Sequence, residues 1–99
     1  MSPVLLTAEA EADVEEAFSW YEGQRPGLGA AFRHTLDVAL LAVASRPATY
    51  PVIHRSTRRF LLPKFPYALY YRILDEGIVV VGCIHAKRHP RTWRSRREG

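Results

Sequence analysis

Eleven of the fourteen Lys and Arg residues lie between Arg55 and Arg97, and the densest run, HAKRHPRTWRSRR over residues 85–97, holds six of them with two His and one Trp. These residue types suit work on a polyanion. Guanidinium groups steady a phosphate, an imidazole moves a proton, and Tyr70 and Trp93 are aromatic surfaces on which a base can stack. His85 with Arg88 would supply both the proton carrier and the cation of a metal-independent ribonuclease. The competing reading is plain: His85 ends a buried strand as a structural histidine, and the arginines keep the surface soluble.

Other chemistries have less to stand on. His34, His54, His85 and His89 occur in no H-E-x-x-H or C-x-x-C context, and Cys83 is the only cysteine, so neither a metal nor an internal disulfide is expected. No G-x-S-x-G, Walker or G-x-G-x-x-G motif occurs, and GLGAAF lacks the preceding strand that a dinucleotide site requires. No cofactor is expected. Asp75, Glu76 and Glu98 fall in a turn or the tail and the other carboxylates mostly line one helix, which leaves no evident acid–base pair.

Charge divides the chain in two. Residues 1–24 carry −6 and residues 25–99 carry +10, for a net +4. Such a field speeds encounter with an acidic partner without naming it. The start, MSPVLLTAEA, has neither a basic nor a long apolar segment, so a cytoplasmic location is expected. The longest apolar run, Val38 to Ala44, is far below the ~20 residues of a membrane helix, and no membrane partner is expected. Ninety-nine residues, 47% hydrophobic, make one domain over 1–99 that buries about two-thirds of its unfolded surface.

The elements that must position these groups follow from hydrophobic period. PVLLT over 3–7 reads as a short edge strand. Val14, Ala17, Phe18 and Tyr21 then share one face of a helix over 8–22, with Thr7 as N-cap and acidic residues in its first turns. GQRPGLG turns the chain, and Phe32, Leu36, Ala39, Leu40 and Val43 line a second helix, which ends before Pro47. An Arg33–Asp37 pair is expected on that helix's other side. Residues 58–62, 67–74 and 78–84 read as strands, the last two joined by a DEG hairpin turn. In the middle strand Tyr67, Leu69, Tyr71 and Ile73 should face the helices, and Ala68, Tyr70, Arg72 and Leu74 the other side. The expected fold is α+β, in the order βααβββ, with a helical hairpin on a small antiparallel sheet.

This order, with WYEGQRPGLGAAF across the helical turn, FPYALYY entering the middle strand and HAKRHPRTWRSR after the last one, resembles the RelE/ParE superfamily of type II toxin–antitoxin toxins. The first and third patterns resemble its ParE-like branch, through Trp20-Tyr21-Glu22, Pro26-Gly27-Leu28-Gly29, Phe32, and His85, Arg88, Pro90 and Trp93. The resemblance implies one of two activities: ribosome-dependent cleavage of messenger RNA, or poisoning of DNA gyrase. Ribonuclease members place an Arg directly after the aromatic residue opening the middle strand, and often a Tyr near the C-terminus. Here that position is Ala68, and no Tyr follows Tyr71. His85, Arg88 and Arg72 would have to compensate. The gyrase-directed reading is therefore favoured; it makes the protein a poison rather than an enzyme, held by a cognate antitoxin whose C-terminal segment folds onto it. Arg58, Arg59, Arg72, Lys87, Arg88, Arg91, Trp93 and Arg94 are then the candidate contacts for target or antitoxin. An antitoxin-binding remnant without toxicity is the third reading.

Overall fold

A computed structural model describes residues 2–96. The chain runs β1 (Val4–Leu6), α1 (Ala8–Gln24), α2 (Leu28–Ser45), a 3-10 turn (Pro47–Thr49), β2 (Val52–His54), β3 (Thr57–Leu61), β4 (Tyr67–Leu74), β5 (Gly77–His85) and α3 (Arg91–Arg94). The α+β arrangement expected from sequence is present, enlarged by one strand and one short helix. The sheet order is β1-β5-β4-β3-β2. All neighbours are antiparallel except β1 and β5, which pair in parallel through Val4 with Ile78 and Leu6 with Val80. β1 is an edge strand, as its shortness and Pro3 imply.

Local chemistry accounts for the helical hairpin. Thr7 caps α1, its hydroxyl accepting from the Ala10 N–H at 3.1 Å. At the turn, Gly27 adopts φ 90°, a left-handed conformation that glycine takes without a Cβ clash. Glu22 then reaches across, its carboxylate accepting from the N–H groups of Gly27 and Gly29, each at 2.9 Å. Gly29 sits where the helices cross. A Cβ there would lie 2.8 Å from the Phe18 carbonyl oxygen, so only glycine permits this approach. Arg33 pairs with Glu15 of α1 at 2.8 Å rather than with Asp37, and its guanidinium lies over Phe18. The bridge between helices replaces the expected pair within one helix.

The sheet separates two apolar clusters. Beneath the hairpin, Ala10, Val14, Ala17, Tyr21, Phe32, Leu36, Ala39 and Val43 pack on Leu69, Tyr71, Ile78, Val80 and Cys83. Tyr21, Phe32, Phe65 and Tyr67 form an aromatic knot at one end, with ring centroids 4.9 to 6.0 Å apart. On the outer face no helix of comparable length covers the strands among the described residues. Ala68, Tyr70, Val79, Val81 and Ile84 are covered instead by Trp93. The helix α2 has the length and mean hydropathy, 1.2, of a membrane-crossing segment, but its apolar stripe is spent on this core.

Candidate functional site

Strand alternation distributes the cations. In β3, Arg58 stands opposite Tyr71 and Arg59 opposite Tyr70, so the two neighbours point to opposite faces of the sheet. Arg58 faces the helices and serves the scaffold, its guanidinium donating to the carbonyls of Tyr50 at 2.6 Å and Ala48 at 3.0 Å. The Tyr71 hydroxyl donates to the Pro47 carbonyl at 2.6 Å, so both groups hold the segment that follows α2. Burial pushes the Tyr71 phenol up to about 12, which keeps that donor protonated.

Arg59 and Arg72 lie on the outer face, near Trp93. The Trp93 ring stacks on Tyr70 at 4.6 Å, meets His54 edge-on at 5.9 Å and carries the Arg94 guanidinium 5.5 Å above it. Arg72 donates to the Thr57 hydroxyl at 3.0 Å and to the Arg96 carbonyl at 3.3 Å. Thr57 is itself buried, so this contact fixes Arg72 at the sheet surface. Arg55, in the β2–β3 turn, adopts φ 52°, unusual for a long side chain. Burial, and then the charges of Arg94, Arg55 and Arg72, push the His54 imidazole below its ordinary value. Three arginine charges therefore converge on one imidazole.

Trp93, a candidate contact for a partner, anchors the tail to the sheet instead. It is only 3% exposed, and the stacking it could offer a base is used on Tyr70. Its neighbours Arg91 and Arg94 remain exposed on α3.

His85, Arg88 and Arg72 do not form one constellation. Between Tyr70–Gly82 and Tyr71–Val80 the β4–β5 register shifts, leaving Val81 as an extra residue in β5. Such a bulge reverses the facing of every later side chain. Val80 and Cys83 consequently both point toward the helices, and Val81 and Ile84 outward. His85 falls on the helical side against Tyr67, at 5.4 Å, while Arg72 stays on the other. The sheet lies between His85 and Arg72, whereas Arg88 stays on the His85 side. Lys87 and Arg88 turn back beside His85: the Lys87 N–H donates to His85 Nδ1 at 3.2 Å, and the Arg88 N–H to the His85 carbonyl at 2.9 Å. Ala68, which stands where ribonuclease members carry an arginine, is fully buried in the outer cluster.

Sequence reasoning missed the clasp that closes this bulge. Asp13 of α1 accepts from the Cys83 N–H at 3.1 Å, and Arg96 donates to the Val81 carbonyl at 3.1 Å and to Asp13. Two side chains thus occupy the edge of β5 beyond the reach of β1. Gly82 within a strand was the one available signal of a bulge. Also unforeseen was a cleft of about 460 Å³ on the helical side, walled by Trp20, Tyr21, Tyr67, Pro66, His85 and Glu16. Trp20 is 58% exposed at its rim. A second apolar groove of about 480 Å³ runs between β1 and α2, past Val4, Leu6, Leu40 and Leu41. No cluster of His, Cys, Asp and Glu suited to a metal occurs among the described residues. Arg97, the last residue of the basic run, lies outside them.

A strand, a helical hairpin and a sheet with a cationic outer face are the architecture that the resemblance to type II toxin–antitoxin toxins implies. The comparison of sequences agrees. The family model for the ParE toxin of the type II toxin–antitoxin system, parDE, matches residues 4–90, and the chain belongs to that family. Among solved structures, a chain titled as the chromosomal ParDE toxin–antitoxin system from P. aeruginosa shares the fold, with a TM-score of 0.74 at 17% identity over 86% of this chain and 96% of that one. No curated protein matches the chain significantly.

Proposed function

We propose that this toxin inhibits DNA gyrase in the cytoplasm and is neutralised by a cognate antitoxin. The observation that carries the reading is the separation of His85 from Arg72 by the sheet, which takes one of three groups from the set the ribonuclease alternative would need and leaves His85 with Arg88 alone. A gyrase poison needs binding surfaces rather than an acid–base pair, and this molecule offers two kinds. The helical side has the apolar cleft and groove, with exposed Trp20, Val38 and Leu41, which fit an amphipathic antitoxin segment that folds as it binds. The sheet side has cations.

Purified toxin added to gyrase should block supercoiling or accumulate cleaved DNA, and growth arrest on expression should be relieved by the co-expressed antitoxin. Unaffected gyrase, with codon-position cuts in ribosome-bound messenger, would establish the ribonuclease instead. Expression without growth arrest would identify an inactive antitoxin-binding remnant.

A further inference from the structure

We propose that the outer face of the sheet binds the phosphate backbone of double-stranded DNA, through Arg55 and Arg94 beside His54 and Trp93 and through Arg59, opposite Tyr70. This deepens the gyrase reading by naming DNA as a direct contact, and it rests on that reading only for its biological setting.

Three observations select a duplex. The first is charge without local compensation. Among the described residues no carboxylate pairs with Arg55, Arg59 or Arg94, and Asp13 is occupied by Arg96. Gathering like charges is unfavourable unless an anion joins them, and Arg55 holds its place in a left-handed conformation that glycine or asparagine would adopt more easily. The second is that aromatic rings are withdrawn. Single-stranded nucleic acid is gripped by stacking, but Tyr70 and Trp93 are buried against each other, so neither ring is free to take a base. Backbone phosphates require only cations. The third is the division of surfaces. The apolar cleft and groove that suit a protein segment lie on the helical side, where α1 also carries Glu9, Glu11 and Glu16 with no ion pair among the described residues. The α1 carboxylates disfavour a duplex over the helices, and Arg55, Arg59 and Arg94, with no carboxylate partner among the described residues, favour it on the outer face.

The test needs no gyrase, so its outcome is independent of the supercoiling assay. A labelled duplex of about 20 base pairs is titrated with the full chain and followed by fluorescence anisotropy; binding in the micromolar range at low salt is expected. Three phosphate contacts imply a slope of log affinity against log salt of about −2.7. Arg55→Glu with Arg94→Glu should weaken binding at least about tenfold and flatten that slope by about 2, while Arg55→Lys with Arg94→Lys should retain it. Both sites are exposed, and circular dichroism confirms that each variant is folded. Binding unchanged in the double Glu variant, tighter binding to the single strand of equal length, or binding to an acidic peptide but not to duplex would each overturn the proposal.

Discussion

The two faces of the sheet are built on opposite plans. The helical face buries a broad core under α1 and α2, and the exposed surface of α1 is acidic. The outer face is sealed by one tryptophan, and the surface around it is basic. A sheet so unevenly covered draws its stability from one side and keeps the other thin enough to carry charge. All six acidic residues of the −6 half lie on α1, whereas the cations of the +10 half are shared between the outer face and the helical side, where Arg33, Arg58 and Arg88 lie.

Removing the outer cover is expected to have the largest effect on the fold. Trp93→Ala deletes the ring stacked on Tyr70 and opens the smaller core, destabilising the protein by about 3–5 kcal/mol in urea unfolding. The loss would also release Arg94 from its position over the indole. If the change were neutral, the tail would be an appendage and the outer cluster no core at all. On the helical face, Gly29→Ala pushes a methyl against the Phe18 carbonyl and Glu22, and should cost about 1–3 kcal/mol by the same measurement.

Alkaline titration probes groups beneath the helical face, with a smaller effect. Burial and then Asp13 push the Cys83 thiol up to about 12, and burial pushes Tyr71 to about 12. Both groups are held neutral in the folded state. An unfolded chain ionises them nearer 9 and 10, so their stabilisation is complete below those values and is lost as pH rises toward 12. The melting temperature should fall across that window, and Tyr71→Phe should flatten the part above pH 10. Native Cys83 should also resist alkylation at pH 8, since the thiolate is the reactive form. The smallest effect is expected from His85→Ala: gyrase inhibition should persist at close to the original level. Its loss in a folded variant would mean that the helical-side cleft takes part in poisoning.

Much of this was readable in the sequence, in proportion to how local its cause was. β4 falls at the expected residues 67–74, and Thr7, the glycine turn and the apolar stripes of both helices are where their chemistry puts them. β2 escaped notice because three residues after Pro51 carry too little pattern, and α3 because four residues make barely one turn. Membership of the toxin family was carried by ordered motifs that turn out to be structural: Glu22 and Gly29 hold the hairpin and Tyr67 anchors the aromatic knot. The site was harder to read. Simple alternation already sends Arg58 and Arg59 to opposite faces, but the place of His85 depends on a single extra residue at Val81, set by the pairing of two strands. No local signal except Gly82 marks it. The basic tail read as one object because sequence gives proximity along the chain, whereas the sheet sorts its residues into structural, cleft-side and outer-face groups.

The contact between Asp13 and Arg96 spans 83 residues, from the start of the first helix to the end of the tail. Contacts of such separation form late, after the loops between them have been ordered. On a ribosome the hairpin and all five strands emerge before Arg96 does. Until then the Val81 carbonyl and the Asp13 carboxylate lack the cation that joins them, and the edge of β5 is half sealed. Arg96 therefore closes the edge of β5 only after the rest of the sheet has formed, at the place where a stray strand would add.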